Sequence, residues 1–218
     1  MRALPLLGLV AVFALAGCGG GGGGSTSSQA QTTTDANGCV PVAAPKPGAR
    51  PEKAPTASLD PTKTYAVVIQ TNCGSFTIHL DPKQSPHAVA SFVALTKEGF
   101  FDNTIFHRIA LGFVIQGGDP LANGTGGPGY TTVDTPPSSA AYTHGVVAMA
   151  KTGAQPNGTA GSQFFVVTAP DAGLPPQYAI IGTVTKGLAV VDRIGKLGDA
   201  NEQPTEVVEI EKATATTS

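Results

Sequence analysis

Residues 106–120 read F-H-R-I-A-L-G-F-V-I-Q-G-G-D-P, and the prediction of the fold starts from them. Arg108 lies among apolar residues typical of a β-strand, and the run ends in Gly-Gly-Asp-Pro, a strong turn signal. Side-chain alternation in a strand predicts Phe106 and Arg108 on one face, and Phe113 and Ile115 on one face of the next segment. An arginine here is costly to desolvate unless its charge or its five donors are used. A structural arginine that ties strands together is the alternative, and this run alone favours it.

The composition limits the classes of function. The 218 residues correspond to one domain, or to one domain with appendages. Hydrophobic residues make up 41%, enough for a globular core, and the net charge of −2 gives no electrostatic basis for nucleic acid as the main partner. The four histidines are scattered without metal-ligand spacing, and hydrolase, zinc-protease and thiol-redox motifs are missing. We therefore expect no metal and no cofactor.

The N-terminus resembles an export signal. Residues 1–2 are Met-Arg, an apolar run covers 3–16, and Leu-Ala-Gly-Cys ends at Cys18. This ending looks like a bacterial lipobox, which implies that residues 1–17 are a signal peptide and that the Cys18 thiol is lipidated. A transmembrane helix is the alternative, but the run is shorter than the ~20 residues needed to span. The prediction is an extracytoplasmic protein, lipid-anchored to the bacterial cell membrane.

Residues 18–63 are predicted to be a tether. Six glycines, residues 19–24, and a Ser/Thr/Gln-rich stretch to Thr34 cannot bury enough apolar area to offset their ordering entropy. From residue 40 to residue 61 proline and alanine dominate, which favours a stiffer and extended spacer. The two parts together would hold the domain away from the membrane.

Cys39 and Cys73 would both remain in the mature chain. An even pair in an exported protein favours a disulfide, and two unpaired thiols are the alternative. Closing this loop would stabilise the fold by about 3–4 kcal/mol on the chain-entropy model. The bond would fasten the end of the tether to the first predicted hairpin.

Short apolar runs separated by turn signals dominate the rest of the chain. Tyr65–Thr71 and 75–80 form a predicted hairpin. Ser85, followed by proline, predicts the start of a helix that ends near Gly99. Many short strands with only two helices indicate an all-β barrel or sandwich. The other predicted elements are strands at 145–150, 163–168, 178–185 and 206–210 and a helix at Leu188–Ile194.

The run around Arg108, together with Gly-Ser-Gln-Phe-Phe at 161–165, closely resembles the cyclophilin family of peptidyl-prolyl cis–trans isomerases. Two motifs in the family's order are far more specific than either alone. The resemblance implies an all-β dominated fold, an eight-stranded antiparallel β-barrel capped by two α-helices. The domain would cover residues 64–213, with a disordered tail at 214–218.

The resemblance assigns Arg108 and Gln116 as catalytic residues. Rotation of an X–Pro bond breaks amide resonance against a barrier of ~18–20 kcal/mol. In the twisted state the prolyl nitrogen gains a lone pair, so a guanidinium donor aimed at it stabilises that state over either planar isomer. The amide of Gln116 would orient the arginine and meet the substrate. No proton has to move.

The resemblance also implies an apolar slot that grips the proline ring while the preceding carbonyl turns. Two of its positions depart from the common family pattern: Lys151 replaces an asparagine, and Tyr178 stands where several members have histidine. Gly173 also lies where many members have tryptophan or phenylalanine. The predicted substrate-binding residues are Phe113, Val114, Met149, Ala150, Lys151, Gln163, Phe165, Leu174 and Tyr178.

The predicted function is isomerisation of X–Pro bonds in exported proteins, which assists their folding. The partners would be proline-containing unfolded or partly folded polypeptides, bound by a monomer that contacts the membrane only through its N-terminal lipid. The alternative is a chaperone or peptide-binding module that keeps the fold and lacks catalytic activity.

Overall fold

The computed structural model describes residues 33–218. The predicted signal peptide, Cys18 and the glycine-rich part of the tether lie outside the described residues. Between residues 33 and 218, no helix has both the length and the apolar character that a membrane span requires.

The described chain forms eleven strands and two helices. Helix α1 follows Ser85 and has proline at its first position, where no backbone N–H is needed. Gly99, just beyond the helix, has a φ of 70°, a backbone conformation that glycine adopts without a steric penalty. The elements are β1 (Tyr65–Thr71), β2 (Gly74–Leu80), α1 (Pro86–Lys97), β3 (Thr104–Ile105), β4 (Arg108–Ala110), β5 (Val114–Gly117), β6 (Thr132–Val133), β7 (Val146–Met149), β8 (Thr159–Ala160), β9 (Phe164–Val167), β10 (Ile180–Lys186), α2 (Leu188–Ile194) and β11 (Glu209–Thr217).

Nine of these strands form one antiparallel sheet in the order β3-β11-β1-β2-β10-β7-β9-β5-β4. Its two outermost strands, β3 and β4, are separated in the chain only by Phe106 and His107. So short a link spans about 10 Å at most, and the two edges of the sheet therefore lie close together. The fold class is confirmed, with nine strands in place of eight because the predicted strand around Arg108 is interrupted at Phe106 and His107.

The interruption changes which side chains share a face. Phe106 and Ile115 are fully buried in the large cluster inside the barrel, which we call the interior cluster. Phe113 lies in the turn before β5, outside that cluster. The predictions that pair Phe106 with Arg108 and Phe113 with Ile115 are therefore wrong, because continuous alternation holds only within an unbroken strand.

Strands β7 and β9 are buried on both faces, which explains their unbroken apolar sequences, and β5 is buried on both faces except at the half-buried Gln116. One face joins the interior cluster through Ile115, Val147, Met149, Phe164 and Val166. The other face belongs to a second cluster, which we call the outer cluster. It consists of Ala110, Val114, Tyr142, Val146, Ala148, Phe165, Val167, Ala169 and Ile180.

Residues 33–63 lie against the domain, which differs from the prediction of a spacer that holds the domain at a distance. This segment is extended, as expected from its proline content. The Arg50 guanidinium donates to the carbonyl of Phe100 at 2.6 Å, and the Gly48 N–H donates to the carbonyl of Pro120 at 3.0 Å. An extended proline-rich chain makes no internal hydrogen bonds, so its remaining donors can pair with the domain instead.

The predicted bond between Cys39 and Cys73 is present. Cys73 lies in the turn between β1 and β2, and the neighbouring Val40 N–H donates to the carbonyl of Asn72 at 2.7 Å. Both cysteines are buried in the interior cluster. The disulfide therefore joins the segment before the domain to the first hairpin.

The predicted disordered tail at 214–218 is instead ordered almost to its end. Strand β11 continues to Thr217, which pairs with Tyr65 of β1. Alternating alanine and β-branched threonine fit a pleated strand, with Ala213 buried and Ala215 packed against the interior cluster. This alternation in the sequence was the signal that the prediction overlooked.

Candidate active site

Four side chains form a row across four neighbouring strands. In the sheet register Arg108 of β4 faces Gln116 of β5, Gln116 faces Phe165 of β9, and Phe165 faces Ala148 of β7. Directly opposed residues in an antiparallel sheet have Cβ atoms about 4.5–5.5 Å apart. Strand pairing therefore brings the arginine, the amide and the aromatic ring together from distant parts of the chain.

Three members of this row, Arg108, Gln116 and Phe165, border a small cavity on the outer face of the sheet. Its volume is about 190 Å³, below the ~300–1,000 Å³ typical of sites for drug-sized ligands. A cavity of this size suits one side chain of a peptide. Its lining residues are Arg108, Phe113, Val114, Gln116, Ala150, Lys151, Phe165, Leu174 and Tyr178, all of which the sequence predicts for the site.

Hydrogen bonds connect the polar members of the site in a chain. Nη1 of Arg108 donates to Oε1 of Gln116 at 3.2 Å, and Nε2 of Gln116 donates to Oε1 of Gln163 at 3.1 Å. Nε2 of Gln163 in turn donates to the carbonyl of Gly126 at 3.0 Å. Gln163 is thus linked to the arginine through Gln116, and it faces a larger adjoining cavity of about 810 Å³ beside the glycine-rich loop at 124–129.

Glu202 is a member of the site that sequence reasoning missed. Its Oε2 accepts a hydrogen bond from Nε of Arg108 at 2.6 Å. Glu202 comes from the connection between α2 and β11, far from either motif, and an isolated glutamate in a polar loop carries no sequence signal of such a role.

Tyr142 was also missed, although it supports one wall of the cavity. It is buried in the outer cluster, and its ring centroid lies 6.4 Å from that of Phe165 and 5.9 Å from that of Tyr178. Its hydroxyl donates to the carbonyl of Tyr178 at 2.8 Å and accepts from the N–H of Tyr178 at 3.0 Å. Burial raises the pKa of Tyr142, so its phenol is neutral and holds Tyr178 in place.

Met149 is the one predicted site residue that the structure removes from the site. It is fully buried in the interior cluster and does not line the cavity. Successive side chains on β7 point to opposite faces, so Ala148 faces the outer side while Met149 faces inward. Ala150, just after the strand, packs on the outer side as well. On a strand, the residue directly next to one that faces the site points to the opposite face, so proximity in the sequence does not place Met149 in the site.

Lys151 lies at the border between the two cavities. Its Nζ donates to the carbonyls of Thr152 and Gln155, both at 3.2 Å, and lies 5.6 Å from the ring centroid of Tyr178. Similarly, Cζ of Arg108 lies 6.0 Å from the ring centroid of Phe113. A cation within about 6 Å of an aromatic face is attracted by the ring quadrupole, so each cation also stabilises a wall of the site.

The site thus combines a guanidinium with a small cavity that has both apolar and polar walls, on an antiparallel barrel. Such a site can hold one apolar side chain of a peptide and polarise the peptide group next to it. The family model described as cyclophilin type peptidyl-prolyl cis-trans isomerase/CLD matches residues 66–215. This chain belongs to that family, and it is a peptidyl-prolyl cis–trans isomerase.

Similar proteins come from distant organisms. The chain is 39% identical over 153 residues to peptidyl-prolyl cis-trans isomerase cypE of Dictyostelium discoideum, covering 68% of this chain and 96% of that protein. It is 40% identical over 188 residues to a probable peptidyl-prolyl cis-trans isomerase B of Mycobacterium leprae, covering 78% of this chain and 62% of that protein. The crystal structure of a cyclophilin type isomerase from Cryptosporidium parvum superposes with a TM-score of 0.64 at 32% identity, over 70% of this chain and 98% of that one.

Proposed function

We propose that Arg108 is the catalytic residue of this isomerase and that the cavity beside it holds the proline ring of the substrate. The observation that carries the proposal is the position of the guanidinium, which lines the cavity together with Phe113 and Phe165. Its Nε and Nη1 are anchored by Glu202 and Gln116. Nη2 donates to no group within residues 33–218, so its two N–H groups can meet a substrate.

The proposed mechanism is differential binding. With the proline ring held among apolar side chains, the carbonyl group before it can turn while the ring stays still. As amide resonance is lost, the prolyl nitrogen gains a lone pair, and the Arg108 guanidinium donates to that nitrogen in the twisted state only. Because the donor is already oriented by its two acceptors, little reorganisation is needed when the bond twists.

The test is the isomerisation rate of a prolyl tetrapeptide with wild type, Arg108→Ala and Arg108→Lys. We expect Arg108→Ala to reduce kcat/KM by roughly 10²–10³, as for loss of one preorganised donor. Arg108→Lys keeps the charge and loses the rigid fork, so most of the loss should remain. Arg50→Ala, the same change outside the cavity, is the matched control and should keep the rate. An unchanged rate in Arg108→Ala would refute the assignment.

The proposed setting is extracytoplasmic, with the protein held at the bacterial cell membrane as a monomer by lipid on Cys18. The substrates would be unfolded or partly folded exported polypeptides, whose slow prolyl isomerisation limits folding. The lipobox-like ending at Cys18 supports the anchor, and the bond between Cys39 and Cys73 supports an oxidising compartment.

Mass measurement of the mature protein tests the anchor, with Cys18→Ser as the control. The expected mature chain begins at a lipidated Cys18, whereas Cys18→Ser should carry no lipid. Detection of the wild-type chain with an unprocessed Met1 and no lipid would contradict this part of the proposal.

A further inference from the structure

The loop at 199–203, between α2 and β11, is organised by its own hydrogen bonds. One carboxylate oxygen of Asp199 accepts from the N–H groups of Asn201 and Gln203, each at 2.8 Å. The Asp199 N–H donates to the carbonyl of Gln203 at 2.9 Å, and the Glu202 N–H donates to the carbonyl of Asp199 at 3.0 Å. Four such bonds within five residues give the loop a defined shape.

The backbone of Glu202 has an uncommon conformation within this loop. Its φ is 62°, in the left-handed region that disfavours residues with a Cβ. Glycine would adopt this conformation without steric cost, yet the chain has a glutamate here. Non-glycine residues persist in such conformations where their surroundings over-determine them, and they cluster at functional sites. A glutamate in a conformation that favours glycine therefore points to a role for its side chain.

Glu202 makes two separate contacts with strand β4. Its carbonyl accepts from the N–H of Ile109 at 2.9 Å, and its carboxylate accepts from Nε of Arg108 at 2.6 Å. Strand β4 lies at an edge of the sheet. The backbone contact therefore fixes the distance between the loop and the strand, and the side-chain contact fixes the arginine relative to both.

From these contacts we propose that Glu202 is a positioning residue for catalysis, which holds the Arg108 guanidinium so that Nη2 faces the cavity. This inference rests on the proposed role of Arg108. Gln116 holds the guanidinium at Nη1, and Glu202 holds it at Nε. Two acceptors on different nitrogens define the plane of the group, whereas one acceptor alone leaves it free to rotate.

The effect on stability separates this role from a structural one. The side chains of Arg108 and Glu202 are 32% and 47% exposed. Ion pairs as exposed as this contribute little to folding stability, because water screens them and two long side chains must be ordered. Loss of Glu202 should therefore lower the rate and leave the unfolding midpoint almost unchanged.

The experiment measures kcat, KM and the urea midpoint of the full chain with a prolyl tetrapeptide. Glu202→Gly removes the carboxylate and keeps a residue that suits the backbone, and Glu202→Gln keeps an acceptor without charge. We expect Glu202→Gly to lower kcat by roughly 10–100-fold with KM little changed, since a small misplacement of a catalytic group costs this much. The decrease in kcat should be smaller for Glu202→Gln than for Glu202→Gly. Glu206→Gln, a nearby acid without contact to Arg108, is the control and should match wild type.

The double variant Arg108→Ala/Glu202→Gly completes the test. If Glu202 acts only through Arg108, its loss costs nothing further once the arginine is gone. A wild-type rate in Arg108→Ala would overturn the proposed function and this inference with it. Lost activity in Arg108→Ala with a wild-type rate in Glu202→Gly would overturn only the inference, as would a further loss in the double variant.

Discussion

Phe164 and Phe165 are neighbours on strand β9, yet they belong to different parts of the protein. Phe164 is fully buried in the interior cluster, where its ring meets those of Phe92, Phe101 and Phe106 at centroid distances of 5.3 to 6.0 Å. Phe165 faces the outer side and lines the small cavity.

The contrast between the two rings extends to the two faces of the sheet. The interior face is filled by the protein's own side chains, whereas the outer face has an open cavity beside Arg108. Residues on the interior face should therefore control stability, and residues around the cavity should control binding and rate. Because the two sets alternate along the same strands, pairs of adjacent residues test this division directly.

The largest effect is expected for Phe164→Ala compared with Phe165→Ala. Removing the fully buried ring should destabilise the protein by about 3–5 kcal/mol. Phe165→Ala should cost less stability, since part of the ring borders the cavity, and should raise KM for a prolyl peptide. Urea denaturation and peptide kinetics on the folded fraction measure both. A higher KM in Phe164→Ala than in Phe165→Ala would break the division between the faces.

A smaller effect is expected from two separate variants, Met149→Leu and Leu174→Met, each of which replaces a side chain by one of similar size. Both changes conserve volume and should each cost less than about 1.5 kcal/mol of stability. Met149 faces the interior, so KM should stay at the wild-type value, whereas Leu174 lines the cavity and its exchange should alter KM. If Met149→Leu changes KM and Leu174→Met does not, Met149 has the role that the sequence predicted.

The smallest effect concerns His107 and the pH dependence of stability. Burial lowers the pKa of His107 below its usual 6.5, and the nearby Arg108 lowers it further, while Asp119 acts in the opposite direction. The unfolded chain therefore binds a proton more readily, so stability should be complete above pH 6.5 and decrease as the pH falls below it.

Urea denaturation at pH 7.5 and pH 5.5 measures this dependence, and His107→Gln provides the comparison. The variant should lose less stability on acidification than wild type, whatever its stability at neutral pH. An identical loss in both proteins would show that His107 does not contribute to the pH dependence of stability.

The sequence predicted many of the elements because local signals specify them. The Ser-Pro start of α1 and the Asn-Cys-Gly turn after β1 act within a few residues, and α2 covers Leu188–Ile194 as predicted. The motif around Arg108 and the motif around Gln163 were sufficient to indicate the family, and the family resemblance then supplied the nine residues that line the cavity.

The sequence did not predict those features that depend on the face of the sheet to which a side chain points or on a partner distant in the chain. Met149 follows Ala148 by one position and therefore points away from the site. The tail at 214–218 is ordered because β1 offers it a free edge. No local pattern could have predicted that Glu202 would meet Arg108, since the contact is made only when the loop after α2 reaches the edge of the sheet.

Sequence alone determined the family, because two short motifs are specific for it, and the resemblance together with local propensities gave the antiparallel barrel with two helices. Only the tertiary structure decided which side chains surround that arginine and which fill the barrel. The physical reason is that strand register and sheet closure bring together residues far apart in the chain, and a shift of one position along a strand moves a side chain to the opposite face.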